Sequence, residues 1–208
     1  MSYIGKSPAV AALTASDITD GIISSAKIAD GTIVNADVNS SAAIAGSKLS
    51  GAGISEADQC RVTSNFSGDA APIASNWERN DTEFDKIGTG MSESSGVFTF
   101  PSTGIYLILA HATFSNNNNN CHYNGLVIRN TVDNGSNWNG RADGNGSVSR
   151  PTSNNYYTQV ACQAIVDVTD TSNCKSSLQV YHQESNSITY GNTNGQTTGV
   201  TFIRLGDT

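Results

Sequence analysis

Three histidines, four cysteines and a few carboxylates in polar stretches are the side chains here best suited to chemistry. His111, His122 and His182 stand far apart in the chain. His111 falls in an apolar stretch, where a hydrogen-bonded buried or interface imidazole is the simpler reading. Cys121 and His122 are adjacent, which invites a thiolate–imidazole pair. Neighbouring residues of a strand point to opposite faces, however, so these two cannot meet directly. Neither a Gly-x-Ser-x-Gly elbow nor a phosphate-cradling P-loop occurs. Cys60, Cys121, Cys162 and Cys174 form no Cys-x-x-Cys pair and have no histidine at zinc-finger spacing. They read as buried thiols, with a single disulfide left open. Asp133, Asp143 and Asn145 lie in glycine-rich stretches and could offer oxygens to calcium, but ordinary turns use Asp and Asn in the same way. No catalytic residue, metal ligand or cofactor is expected.

The better candidates bind rather than react. Trp138 sits in the polar stretch 134–140 with Arg141 beside it, and Tyr156 with Tyr157 follows Ser153, Asn154 and Asn155. Flat aromatics flanked by amides suit sugar rings, which stack on the ring face and hydrogen-bond at its edge. The alternative for Trp138 is packing against a neighbouring subunit.

The elements that must carry these side chains are strands. Charged residues make up only 14% of the chain and Gly is frequent, which favours strands and turns over helices. A net charge of -7 repels phosphate backbones and argues against nucleic acid as a partner. The longest aliphatic run, 105–110, is too short to cross a membrane. Residues 9–13 are apolar and follow Lys6, but the run is short and Pro8 precedes it, a weak match to a signal peptide.

Near the N-terminus, Leu13, Ile18, Ile23, Ile28, Ile33 and Val38 recur every five residues, each with a small residue two positions earlier. The pattern resumes one residue out of phase at Ile44 and Leu49. On an α-helix such a spacing spirals round the surface, and on a straight strand it alternates faces. A backbone that turns every five residues brings the aliphatics to one axis instead, and Asp-Gly at 20–21 and 30–31 supplies turns. One short chain cannot cover such a seam, whereas three wound together can. Ile18, Ile23, Ile28 and Ile33 are therefore expected on the axis of a three-chain stalk. The segments 1–8, 26–33 and 36–38 resemble the N-terminal ends of tail-fibre and fibre-like proteins of marine bacteriophages. That resemblance implies attachment of this end to a virion.

From residue 60 onward, short apolar runs alternate with turn clusters. Strands are expected at 60–66, 73–77, 84–87, 96–100, 105–114, 123–129, 156–168, 177–182 and 199–205, and turns at 101–104, 116–120, 133–135, 143–146 and 192–195. Many short strands at this spacing argue for a sandwich. The run 105–110 is apolar on both faces, although an antiparallel sandwich strand normally keeps one face wet. Neighbouring subunits around a threefold axis would cover the second face, with Tyr106 and Ile108 in the contact.

The motif Gly96, Phe98, Phe100, Pro101, Gly104 and Tyr106 resembles the signature of the complement/tumour-necrosis-factor-like jelly roll. Asn80 to Asp85 is similar to the short segment before that signature, and 198–203 to the closing strand. Leu107 and Ile108 depart from it, standing where the family has an aromatic. The resemblance implies a jelly roll, an obligate trimer, and binding without catalysis.

Together these readings give an all-β chain: an antiparallel jelly-roll sandwich, trimeric, preceded by a short repetitive extended stalk. Its parts are a docking segment 1–12, a stalk 13–50, a linker 51–59 and a jelly roll 60–208. The expected function is that of a non-enzymatic phage virion protein, a short fibre or capsid decoration, located in the virion and assembled in the host cytoplasm. Its expected partners are two further copies, other virion proteins at the N-terminus, and a host-surface glycan or protein. A secreted complement/tumour-necrosis-factor-like ligand-binding protein or lectin is the alternative. A polysaccharide hydrolase ranks below both, because it needs paired carboxylates in a cleft and the acidic residues here are scattered.

The seam is open to a direct test. Ile28→Asp should bring three unpaired carboxylates together in it, each costing on the order of 3–5 kcal/mol when buried without a partner. Limited proteolysis of the variant should cut within 13–50 where the parent resists; equal resistance would exclude the seam.

Overall fold

The computed structural model describes residues 14, 17–19, 21–29, 31–42, 44, 53–82, 84–116, 121–149 and 156–208. The chain divides into two units, Met1–Leu49 and Ser50–Thr208.

In the first unit the described backbone is a series of turns. The amides of Asp17, Ile22, Lys27, Thr32, Asp37 and Ala42 each donate to the carbonyl three residues earlier, so a turn closes every five residues. Two kinds alternate. Short 3₁₀ turns lie at Ser25–Lys27 and Asn35–Asp37, and each is preceded by a turn whose glycine, Gly21 or Gly31, has φ +78. That left-handed conformation is one only glycine adopts without strain. Asp17 and Asp37 brace their turns, accepting from the amides of Thr14 at 2.7 Å and Val34 at 2.9 Å. Ile18, Ile23, Ile28, Ile33 and Val38 are all exposed on the single chain.

In the second unit two antiparallel sheets face each other. The first holds β1 (Ala57–Val62), β2 (Phe66–Ser67), β3 (Trp77–Arg79), β4 (Lys86–Ile87), β7 (Gly104–Asn116), β10 (Tyr157–Val168), β12 (Ser187–Thr189) and β13 (Gly199–Gly206). The second is ordered β5-β6-β11-β8-β9, from β5 (Ser92–Ser94), β6 (Val97–Thr99), β8 (Cys121–Thr131), β9 (Asn139–Val148) and β11 (Lys175–His182). The long strand β7 is paired along one edge by β10 and along the other by β13 and then β12; β13 in turn pairs β1.

Aromatic packing fills the space between the sheets. Phe98, Phe100, Tyr106, Phe114 and Phe202 are fully buried with Ile108, Leu126, Ile128 and Leu178. Phe98 lies 5.2 Å from Phe202 and Phe100 lies 4.8 Å from Tyr106, centroid to centroid. The tyrosine keeps its hydroxyl satisfied by donating to the Ser102 carbonyl at 3.1 Å. Gly96 opens this segment at φ +79, and a Cβ there would run into the Ile73 carbonyl. At the far edge Arg79 pairs with the buried Asp58 at 2.9 Å, and Asp58 also accepts from the Met91 amide at 2.6 Å. Two charges held this way are tolerable, because each has a close partner and the carboxylate a further donor.

Two expectations need correction. The stretch 143–146, read as a turn, lies inside β9. Its glycines are the reason: a Cβ on Gly144 would come within 2.8 Å of Val160 Cγ1, and one on Gly146 within 2.7 Å of Thr158 Oγ1. Absent side chains let β9 approach β10, so packing overrides poor strand propensity. The stretch 73–77 is not a strand; its place is taken by Trp77–Arg79 and by an isolated bridge from Ala70 to Val180.

At one end of the sandwich lies a buried polar cluster. His182 Nδ1 donates to Asn124 Oδ1 at 2.8 Å, Thr189 Oγ1 lies 3.3 Å from Nε2, and the Cys121 thiol reaches the same Asn124 oxygen at 3.5 Å. Burial holds the imidazole below its ordinary pKa, while the Asp69 charge pulls the other way. The folded chain therefore binds this proton less readily than the unfolded one. His182 contributes no pH-dependent loss above a pH of about 6.5, and stability falls as pH drops below that value. Urea melts from pH 7.5 to pH 5 should show this decline, at a slope of at most about 1.4 kcal/mol per pH unit. Flat or rising stability over that window would contradict it.

Candidate functional site

The outward face of the first sheet is built by alternation along β7. Tyr106, Ile108, Ala110, Ala112 and Phe114 point into the core, so Ile105, Leu107, Leu109, His111 and Thr113 point away and are only half-buried. Cross-strand register sets them in rows: Ile165, Leu107, Ile203 and Ala57; then Gln163, Leu109, Thr201 and Gln59; then Ala161, His111, Gly199 and Arg61. The first row is aliphatic throughout, and Ile165 is 67% exposed at its open edge. The later rows are more polar and partly bonded. Gln59 donates to Thr201 Oγ1 at 2.9 Å and accepts from Asn80 at 2.8 Å, and His111 Nε2 donates to the Gln196 carbonyl at 2.9 Å. Arg61 is buried at the end of its row, bonded to Glu78 at 3.1 Å and Asn80 at 2.9 Å.

This geometry corrects the residues expected in a subunit contact. Tyr106 and Ile108 are 1% and 0% exposed within the single chain, enclosed between its own sheets and out of a neighbour's reach. An odd–even shift exchanges the two faces of a strand, so the outward members of the same apolar run are Ile105, Leu107 and Leu109.

The four expected binding residues do not converge. Trp138 is half-buried past the Asn130–Asn139 end of the β8–β9 ladder, with the Arg129 guanidinium 5.5 Å from its ring centroid. Arg141 is exposed nearby on β9. Tyr157 pairs with Ser115, and Tyr190 meets its ring edge-on at 5.2 Å. That is the other end of the sandwich, where Ser187 links Asn116 to Cys121. Tyr156, half-buried, precedes it. The length of β8 separates the two ends, on the order of 30 Å.

A further aromatic pair went unremarked in the sequence. Tyr181 lies over Gly125, where any Cβ would occupy its ring, and donates from its hydroxyl to Asn145 Oδ1 at 2.7 Å. The exposed Tyr123 stands 6.0 Å from it, centroid to centroid. The available signal was Gly125 inside an otherwise well-formed strand, a mark of close approach.

The remaining chemical candidates are held in structural roles. Asp133 accepts from Thr131 Oγ1 at 2.6 Å and from the amide and side chain of Asn137 at 2.9 and 2.6 Å. These donors, Thr131 first, lower its pKa to about 2. Among the described residues no group of three His, Cys, Asp or Glu side chains is placed to hold a metal ion. All four cysteines are free thiols. Burial pushes Cys60 up to about 12 and Cys162 up to about 11, which leaves both weak nucleophiles at neutral pH.

No family model matches the chain, and no curated protein does. Solved structures share its architecture. Eiger TNF from S. frugiperda is 11% identical, with a TM-score of 0.54 over 73% of this chain and 93% of that one. Murine APRIL at pH 8.5 is 13% identical, with a TM-score of 0.52 over 72% of this chain and 98% of that one. At these identities the likeness is one of fold: the chain carries a tumour-necrosis-factor-like antiparallel jelly roll.

Proposed function

We propose that this chain is a non-enzymatic binding protein that works as a homotrimer, its jelly-roll heads joined through the outward face of β7, β10 and β13. The observation that carries this is the aliphatic row Ile165, Leu107 and Ile203, with Ile105 and Leu109 beside it, on a sheet whose other face already packs the core. A contiguous apolar patch of this kind marks an interaction surface. Each half-buried aliphatic side chain it closes off contributes roughly 1 kcal/mol, about half the value for full burial. The fold likeness favours a free ligand-binding protein or lectin of the complement/tumour-necrosis-factor type, which presents the Trp138 end, the Tyr156–Tyr157 end and the Tyr123–Tyr181 pair to a surface glycan or protein.

The first unit favours a second reading, a short trimeric fibre or capsid decoration in a bacteriophage virion, assembled in the host cytoplasm. Its support is the five-residue series of turns, which leaves Ile18, Ile23, Ile28 and Ile33 exposed for two further chains to cover. In this reading residues 1–12, which lie outside the described residues, dock onto another virion protein, and three weak contacts on one stalk bind together.

Sedimentation of the full chain at micromolar concentration should give a trimer. Leu107→Asp should weaken head association at least about 100-fold with the far-UV circular dichroism unchanged. A monomeric parent, or a variant that remains fully associated by its heads, would overturn the assembly. For the second reading, a truncation lacking residues 1–12 should still trimerise yet fail to join virus particles; normal incorporation would exclude N-terminal docking.

A further inference from the structure

A cleft of about 280 Å³ opens where the edge strands β9 and β10 meet the end of β8, lined among others by Val132, Arg141, Ile165, Asp167 and Val168. Its walls are of two kinds. Val132 and Ile165 are 61% and 67% exposed, a hydrophobic side left uncovered by the chain itself. Arg141 and Asp167 carry opposite charges on the same small cleft. Neither side chain forms an ion pair or hydrogen bond with another described residue, although pairs of this type do form elsewhere in the domain. Asn130, which also lines the cleft, donates to the Lys175 carbonyl at 3.3 Å, while its own Oδ1 is buried without a partner among the described residues.

We infer that this cleft binds a small zwitterion with an aliphatic side chain, of the class of a free α-amino acid. A carboxylate meets the Arg141 guanidinium, whose planar fork suits two-point contact. An ammonium meets Asp167, and the unanswered oxygen of Asn130 in the same lining adds negative potential. The aliphatic side chain covers Val132 and Ile165. A volume of about 280 Å³ lies at the low end of the range for small-molecule pockets and suits a small ligand. Asp167 argues against a purely anionic ligand such as an acidic sugar, and Arg141 against a purely cationic one. The inference rests on the reading of Arg141 as a binding residue, and because Ile165 also heads the row given to the head contact, it requires that this contact leave the β10 edge open.

The probes are L-leucine, leucinamide, which lacks the carboxylate, and N-acetylleucine, which lacks the ammonium. Titration calorimetry on the full chain should show saturable L-leucine binding, with both single-charge probes weaker by about tenfold or more. Arg141→Gln should lower the affinity for L-leucine and leave leucinamide unchanged. Asp167→Asn should lower it for L-leucine and leave N-acetylleucine unchanged. No saturable L-leucine binding at tens of millimolar overturns the inference, as does N-acetylleucine binding equal to that of L-leucine. Binding by Leu107→Asp but not by the associated parent also overturns it, since a neighbouring copy then fills the cleft. Trimerisation is read separately by sedimentation, so its failure and the failure of the cleft are distinguishable.

Discussion

The strand Gly104–Asn116 has hydrogen bonds to satisfy on two edges and apolar side chains on two faces, and the rest of the second unit is arranged to meet those demands. β10 answers one edge along nearly its whole length, and β13 with β12 answers the other. The facing sheet covers the even-numbered side chains, where Tyr106, Ile108 and Phe114 are closed in completely. Among the described residues nothing covers Ile105, Leu107 and Leu109 to the same degree. One constraint thus produces both the core and the surface on which the proposed assembly depends.

The second sheet meets its own constraint with glycine. β9 is poor in strand formers, yet it pairs with β8 along its length because Gly144 and Gly146 let it approach β10 where any side chain would collide. Gly125 does the same for the Tyr181 ring. A pair of sheets that twist against each other must come close at some corner. Missing Cβ atoms at that corner cost chain entropy but leave the aromatic core undisturbed.

Polar groups inside the domain are handled by pairing. Asp58 is shared between Arg79 and the Met91 amide, and Arg61 is bonded to Glu78, Asn80 and Asp81. These contacts tie β1 to β3 and to the loop that follows it. The His182 cluster is less complete, since Asn124 Nδ2 has no partner among the described residues.

Much of this was legible in the residues. The signature from Gly96 to Tyr106 identified the fold, because a glycine held at positive φ against a neighbouring backbone, two inward aromatics and a proline turn are local requirements that a short motif can state. The five-residue aliphatic spacing foretold turns at that interval in the first unit, since a turn is also a local event. What the sequence could not declare was everything that depends on facing and approach. Tyr106 and Leu107 are adjacent and both apolar, and only the sheet beneath them decides which one is core and which is surface. Trp138 and Tyr157 looked alike in their polar surroundings, yet the length of β8 puts them at opposite ends. Asp143 and Gly144 read as a turn by composition and became a strand, because their neighbours come from distant parts of the chain and the energy of packing against those neighbours exceeds the small local preference. Arg141 and Asp167 are likewise brought to one cleft by the tertiary fold, which alone holds β9 against β10.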